Sequence, residues 1–322
     1  MNAVHRMLVL LMIAAFGGLA CIGAWAQDFP NKPIRLVVAN SPGSGTDSVA
    51  RLVGAEMSRF IGQPVVLEYK LGANSVIGWE YVAKQVPADG YTVTLGFVTS
   101  LASLPLIVKD LRFDPLKDLP AVTVVAEGRI LLASSSLQPW KTFNEFAAQA
   151  KANPGKLTFG AADPAVRLST EAFLRTLGLN LLYVPYSGAA QLFTDLAGGH
   201  LHLSLVSVAT ANNMGDKLRI LAVTGKERLP AYADAPAFAE LGAGQIPGLI
   251  YSLNVPAGIP KAAFDRIQGA ISQALQQPDV KARFAKLQLE VVNTGPESAA
   301  RLLSDQAKLF SDVVAKSGIQ LN

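Results

Sequence analysis

Cysteine and histidine are almost absent from this chain. Of its 322 residues one is a cysteine, Cys21, and three are histidines. With no thiol after residue 21, the rest of the chain can form no disulfide and offers neither a cysteine nucleophile nor a thiolate metal site. His200 and His202 would share a face on a strand, but no third ligand is evident near them. The sequence therefore predicts no metal and no cofactor.

The chain also lacks basic runs and complete catalytic motifs. Its 28 basic and 24 acidic residues give a net charge of +4 that is spread along the sequence, so nucleic acid is not an expected partner. A mild positive balance suits a small anionic ligand. There is no Gly-x-Ser-x-Gly elbow, no Gly-Lys-Ser/Thr ending of a phosphate loop and no clear Ser–His–Asp set. We predict that the protein is not an enzyme; an exported α/β hydrolase is the alternative.

The first 26 residues are predicted to be a secretory signal peptide. An apolar run of about fifteen residues follows a weakly basic start, and Ala24 and Ala26 place small side chains before the expected cleavage site. The mature chain would then begin at Gln27. A membrane anchor is an alternative that the short run disfavours. Lipid attachment at Cys21 is another, which the poor lipobox before it disfavours.

Strand-like and helix-like segments alternate along the chain, which indicates an α/β fold with largely parallel sheets. The candidate strands are residues 34–39, 64–69, 91–97, 157–161, 181–185, 201–206, 219–224 and 289–292, and the candidate helices are 47–61, 77–85, 142–152, 261–276, 278–287 and 297–317. The length suggests two domains. Because no flexible linker is present, we expect the chain to cross between them on packed strands near 122–125 and 221–224, around a hinged cleft.

Ligands of open α/β sheets bind at the carboxyl ends of the strands, so the loops after the first three strands are the candidate site. Residues 40–47 and 70–75 are small, contain glycine and precede helices. The unsatisfied N–H groups of a helix start can hold a carboxylate without a cationic side chain. An ordinary turn capped by Thr46 or Asp47 is the alternative for the first loop. A third loop, 98–100, adds hydroxyl groups.

Short motifs follow one another in a specific order. They are Phe-Pro-Asn-Lys-Pro-Ile-Arg-Leu-Val-Val (29–38), Pro-Gly-Ser-Gly-Thr-Asp (42–47), Asp-Gly-Tyr-Thr (89–92), Phe-Asp-Pro-Leu-Lys-Asp (113–118), Asn-Pro-Gly-Lys-Leu (153–157), Val-Pro-Tyr-Ser-Gly (184–188), Leu-Ala-Val-Thr (221–224) and Val-Pro-Ala-Gly-Ile-Pro (255–260). This series resembles the solute-binding proteins of tripartite tricarboxylate transporters, the Bug proteins, over essentially the whole chain after the signal peptide.

The resemblance implies a periplasmic binding protein-like fold of type II, with two doubly wound lobes that are joined by hinge strands around a cleft. The lobes are expected at 27–123 and 223–322 (lobe 1) and at 124–222 (lobe 2). The resemblance also implies that the protein captures a small carboxylate and delivers it to the membrane subunits of a transporter. The signal peptide predicts a periplasmic location, and a monomer is the default expectation for a carrier that must dock while its lobes close. A ligand-sensing module for a signalling partner is the alternative.

Carried over by position, the carboxylate pocket comprises Ser41, Gly43, Ser44, Gly45, Thr46, Gly72, Ala73, Asn74 and Ser75. Position after a strand adds Thr99, Ser100, Ala161, Arg167, Ser187 and Gly188. The lobe 2 residues depart from the family pattern, since Arg167 stands where histidine is common. Arginine can clamp a carboxylate through two parallel hydrogen bonds. We therefore expect an atypical ligand with a second anionic group on Arg167; a solvated surface arginine is the alternative.

Overall fold

The computed structural model describes residues 29–40, 42, 44–186, 189–244, 246 and 248–317. The predicted signal peptide lies outside these residues, as do four predicted site residues, Ser41, Gly43, Ser187 and Gly188. In the described ranges, no helix combines the length and the apolar character needed to cross a membrane.

Strands and helices alternate, which confirms the predicted α/β class. The strands are β1 (Ile34–Val38), β2 (Val65–Tyr69), β3 (Thr92–Phe97), β4 (Ala121–Gly128), β5 (Ile130–Ser135), β6 (Thr158–Ala161), β7 (Leu182–Pro185), β8 (Leu203–Ser207), β9 (Leu218–Val223), β10 (Leu249–Asn254) and β11 (Leu289–Val291). The helices are α1 (Gly45–Ile61), α2 (Val76–Glu80), α3 (Val98–Ile107), α4 (Pro115–Asp118), α5 (Phe143–Ala152), α6 (Pro164–Thr176), α7 (Ala189–Ala197), α8 (Val208–Met214), α9 (Lys261–Gln276), α10 (Pro278–Lys286) and α11 (Pro296–Ser317).

The strands form two sheets. The first has six strands in the order β11-β4-β10-β3-β1-β2, and the second has five in the order β7-β6-β8-β5-β9. In each sheet three strands are parallel, β1 to β3 in the first and β6 to β8 in the second. In the first sheet β10 runs antiparallel to β3 and β4, and in the second β5 runs antiparallel to β8 and β9. The sheets are therefore mixed rather than largely parallel, because strands that return from the other sheet run in the opposite direction.

Amphipathic helices cover the first sheet. Val49, Val53 and Met57 lie on one face of α1, are fully buried, and share a core with Leu36 of β1 and with Ile271 of α9. Their spacing is the helical repeat from which α1 was predicted. This core fixes α1 over the sheet, so that the helix starts at the carboxyl edge of β1.

The chain changes sheet at two neighbouring places. β4 ends at Gly128 in the first sheet and β5 begins in the second, so the first crossing lies at Arg129, a few residues after the predicted 122–125. The second lies between β9 and β10, after the predicted 221–224. The two crossings are joined because Arg129 donates to the Thr224 carbonyl at 2.7 Å, and the Ile130 N–H donates to Thr224 Oγ1 at 2.9 Å.

We expect Gly248→Ala to disturb this junction. An added Cβ would overlap the carbonyl oxygen of Gly128 and lie 3.0 Å from Thr224 Oγ1. Such overpacking costs about 1–3 kcal/mol of unfolding free energy, measurable by denaturant titration. The matched control is Gly269→Ala within α9, where a Cβ meets no atom within 4 Å and should stabilise the helix by about 0.5–1 kcal/mol. Equal stability of Gly248→Ala and the unmodified protein would contradict the close packing of the crossings.

A second contact between the two halves lies on one flank of the cleft. Helix α6, which follows β6 of the second sheet, packs against α3 and α11, which cover the first sheet. The Phe173 ring of α6 is buried and stacks on Phe238 at 4.1 Å between centroids. As a consequence, the starts of α3 and α6 come together at the same cleft.

Candidate functional site

A cleft of about 240 Å³ lies between the two sheets. Its lining comes from the carboxyl ends of β1, β3 and β6, from the crossings and from α6: Asn40, Ser75, Phe97, Thr99, Ser100, Ile130, Asp163, Ala165, Val166, Ser169, Leu205, Gly248 and Leu249. A larger groove of about 790 Å³ is confined to the second lobe, beside Leu137 and Phe193. We take the smaller cleft as the candidate site, because both lobes supply its walls and strand ends converge on it.

Helix α3 begins in the wall of this cleft without a side-chain cap. Phe97 occupies its N-cap position and makes no capping hydrogen bond through its side chain, while Thr99 and Ser100 of the first turn line the cleft. The first N–H groups of a helix have no intrahelical acceptor, and they carry partial positive charge. The start of α3 therefore offers N–H and hydroxyl donors to an anion.

Residues 98–100 were predicted to form a loop, and this was wrong because they are helical. Two of them do line the cleft. These residues form the first turn of α3 because Val98, Leu101 and Leu104 bury one helical face in the core. A capping side chain, which would have indicated a helix start, is missing at residue 97.

Helix α6 begins in the opposite wall of the cleft. Its start presents a hydrogen-bond acceptor where the start of α3 presents donors. Asp163 is its N-cap, and its Oδ1 accepts the N–H groups of Ala165 at 2.8 Å and Val166 at 3.1 Å. Burial raises the pKa of the Asp163 carboxyl, against the effect of these two hydrogen bonds. Among the described residues that line the cleft, Asp163 is the one charged side chain. The start of α6 is thus occupied by the chain's own carboxylate.

The first predicted loop lies beside the cleft. Ser44 caps α1 by accepting the Asp47 N–H at 3.2 Å, so neither Thr46 nor Asp47 is the cap, as the alternative held. Gly45 and Thr46 form the start of α1, outside the residues that line the cleft. A Cβ on Gly45 would lie 3.4 Å from the Tyr251 hydroxyl. The Tyr251 ring packs at 4.5 Å on Phe97, which does line the cleft.

The second predicted loop sends Ser75 into the cleft. Ala73 and Ser75 have φ values of 46° and 73°, a left-handed conformation that is costly for residues other than glycine. Gly78 allows α2 to hold this loop in place, since a Cβ there would lie 2.7 Å from the Lys70 carbonyl oxygen and 2.8 Å from the Ala39 Cβ. Gly72 is exposed, and Asn74 belongs to the 3₁₀ turn of Ala73–Ser75.

The two described lobe 2 residues of the prediction lie outside the cleft lining. Ala161 is the last residue of β6 and is buried. The Arg167 guanidinium lies 4.1 Å from the centre of the Tyr183 ring and 3.7 Å from the Glu171 carboxylate, and 17% of its side chain is exposed. This geometry argues against a ligand anion on Arg167, because the guanidinium already has an aromatic face and a carboxylate beside it.

The predicted site residues did not include Asp163, and they did not include Asn40, although the candidate loop 40–47 begins with it. Asn40 follows β1, and its buried Oδ1 accepts no hydrogen bond from the described residues. The pair Asp163-Pro164 is typical of a helix start, with an N-cap acid before proline in the first turn, and could have revealed the cap. Among the described residues no group of three metal-ligating side chains occurs. His202 instead bonds Thr158 Oγ1 through Nδ1 at 2.8 Å.

Two mixed α/β sheets, two crossings and a polar cleft at the strand ends define a two-lobed solute-binding protein. The model of the tripartite tricarboxylate transporter family receptor matches residues 49–319, and the chain belongs to this family. This confirms the resemblance seen in the sequence.

Individual members of the family are similar to this chain over most of its length. A Cupriavidus necator protein, the UPF0065 protein in the gbd 5′ region, is 30% identical over 307 residues, or 94% of this chain and 93% of its own. BugT of Bordetella pertussis is 28% identical over 331 residues, with both chains fully covered.

Solved structures of periplasmic binding proteins confirm the predicted two-lobed fold. MatC from Rhodopseudomonas palustris with bound malate is similar at a TM-score of 0.72 and 27% identity, over 89% of this chain and 100% of that one. The R. palustris protein Rpa4515 with adipate is similar at a TM-score of 0.76 and 28% identity, over 91% of this chain and 99% of that one.

The position of Arg167 can be tested directly. We expect Arg167→Ala to lose roughly 1 kcal/mol of unfolding free energy, since it removes the ring contact and leaves Glu171 without this partner. Affinity for a bound carboxylate, measured by isothermal titration calorimetry, should stay unchanged. Arg175→Ala, at an exposed site on the same helix, is the control for loss of charge. A selective loss of affinity in Arg167→Ala would restore the predicted pairing with a ligand anion.

Proposed function

We propose that the protein captures a small carboxylate in this cleft and delivers it to the membrane subunits of a tripartite tricarboxylate-type transporter. The observation that carries the proposal is the uncapped start of α3, which presents Thr99 and Ser100 at the carboxyl end of β3. An anion accepted there replaces hydrogen bonds that the helix cannot make internally. Ser75 adds a third hydroxyl to the same wall.

The part of the lining that the structure describes contains neither lysine nor arginine, which fits capture followed by release. A carboxylate held by neutral donors forms no ion pair with the protein. No ion pair therefore has to be broken when the lobes open. Family membership and the carboxylates bound to two similar structures support the ligand class. The family also supports binding rather than catalysis, and a transporter as the partner.

Closure of the lobes would occur about the two crossings. The chain changes sheet at Arg129 and between Val223 and Leu249. We take lobe 1 to comprise the first sheet and lobe 2 the second; boundaries at 123 and 222 remain the prediction from the sequence. Hydrogen bonds at Thr224 join the two crossings, so both changes of sheet lie at one place, which is the arrangement of a hinge. We place the mature protein in the periplasm as a monomer, on the strength of the predicted signal peptide and the family.

Ser100→Asp tests the anion site on α3. The new carboxylate would lie in the first turn and compete for the donors that a ligand needs, so carboxylate affinity should fall about tenfold or more. An acid in the first turn stabilises a helix by about 0.3–1 kcal/mol, so the melting temperature should be unchanged or raised. Ligands would first be found by thermal shift against mono-, di- and tricarboxylates and amino acids, and affinities then measured by calorimetry.

Ser100→Asn is the matched control, because it has nearly the same size as aspartate without the charge. It should lose far less affinity than Ser100→Asp. Carboxylate binding that survives Ser100→Asp at full strength would place the anion elsewhere than α3.

A further inference from the structure

We propose that Tyr251 is a further ligand-binding residue of this site, and that its hydroxyl donates a hydrogen bond to the captured carboxylate. The inference rests on the proposed function and adds to it one named donor, on strand β10. It predicts that loss of this single oxygen atom weakens ligand binding without weakening the fold.

Tyr251 differs from the other tyrosines of the chain in burial and in hydrogen bonding. The sequence contains seven tyrosines, and Tyr251 is the most buried of them, with 3% of its surface exposed. The Tyr251 hydroxyl makes no hydrogen bond to any residue that the structure describes. Buried polar groups without a partner are rare in native proteins, and a ligand can supply the missing partner. The other six hydroxyl groups all take part in hydrogen bonds within the protein, and they belong to Tyr69, Tyr81, Tyr91, Tyr183, Tyr186 and Tyr232.

The Tyr251 hydroxyl lies between two helix starts. The Tyr251 ring pairs in the sheet with Phe97, the N-cap residue of α3, and packs on it at 4.5 Å between ring centroids. The Tyr251 oxygen lies close to Gly45, the first residue of α1, since a Cβ on Gly45 would be 3.4 Å from it. The first N–H groups of both helices have no intrahelical acceptor. The hydroxyl is therefore placed between two sets of backbone donors, beside a residue that lines the cleft.

Tyr251 is in the protonation state that a hydrogen-bond donor needs. Burial raises the pKa of Tyr251 to about 12, so its hydroxyl keeps the proton at physiological pH. A phenolic O–H can donate to a carboxylate oxygen, and a hydrogen bond to a charged group is stronger than one between neutral groups. Because this donor is uncharged, it also fits a site whose described lining contains no lysine or arginine.

The place of Tyr251 in the chain connects this donor to the change of sheet. Tyr251 follows shortly after Gly248, on the strand that leads away from the second crossing. The pairing of β10 with β4 shifts in register directly after Tyr251. Such irregularities bend a strand and are common next to binding sites. A carboxylate bound to Tyr251 thus contacts the strand that leads from the crossings as well as the helix starts.

Tyr251→Phe tests the inference, because it removes only the hydroxyl oxygen and keeps the ring against Phe97. The probe is the acid of the carboxylate panel that binds the unmodified protein most tightly, with malate and adipate measured beside it by isothermal titration calorimetry. Loss of a donor to a charged acceptor should weaken binding about ten- to hundredfold. Without ligand, the melting temperature should be unchanged or higher, since the variant no longer buries a hydroxyl that lacks a partner.

Tyr232→Phe is the matched control for loss of a tyrosine hydroxyl. The Tyr232 hydroxyl donates to Asn212 Oδ1 at 3.0 Å, and neither residue belongs to the cleft lining. Tyr232→Phe should therefore leave carboxylate affinity unchanged, with a melting temperature that is unchanged or lower. The two variants remove the same atom type, so a difference in affinity between them reports on the position of the hydroxyl.

The outcomes separate this inference from the proposed function. If Tyr251→Phe binds the carboxylate probe as tightly as the unmodified protein, the inference is wrong, while the carboxylate function stands. The inference is also wrong if the ligand-free melting temperature of Tyr251→Phe falls, because the hydroxyl would then have a partner within the protein. If no acid of the panel binds the unmodified protein, the proposed function fails and the inference fails with it.

Discussion

The backbone N–H groups at helix starts are the constraint on which the candidate site depends. The first turn of any helix has donors that its own carbonyl groups cannot satisfy, and in the cleft they must meet water, a ligand or a side chain. Helix α3 leaves them open, whereas α6 satisfies two of them with Asp163. The same local geometry thus produces a donor wall and an acceptor wall, and the described residues of the lining include no arginine or lysine.

The scaffold has to hold these two walls in a fixed relation to each other. The crossings at Arg129 and Thr224 are tied by hydrogen bonds, and Gly248 passes close to the Gly128 carbonyl. On the flank, Phe173 and Phe238 stack inside a core to which α3, α6 and α11 contribute. The packing near α6 fixes the direction of both helix starts, so recognition of the ligand is coupled to the contact between the lobes.

Sequence reasoning succeeded where periodicity and turn chemistry agree. The spacing of Val49, Val53 and Met57 predicted α1, and the loops after β1 and β2 were expected at the strand ends where they lie. It failed for α3, since an uncapped helix start has no local signal. It did not include the neighbours of Arg167, although the four-residue spacing to Glu171 already indicated a pair along one helix. Asp163 faces the cavity because α6 packs on α3. No local sequence pattern indicates this packing.

Amino-acid substitutions affect the two walls of the cleft to different extents. The donors of α3 are largely backbone atoms, which every sequence supplies, so they belong to the fold rather than to particular side chains. The opposite end depends on the side chain at one capping position. Aspartate, asparagine and serine cap helices with similar strength, so an exchange among them changes the charge that the ligand meets at little cost in stability. An exchange at residue 163 can therefore alter the charge of one cleft wall while the scaffold stays the same.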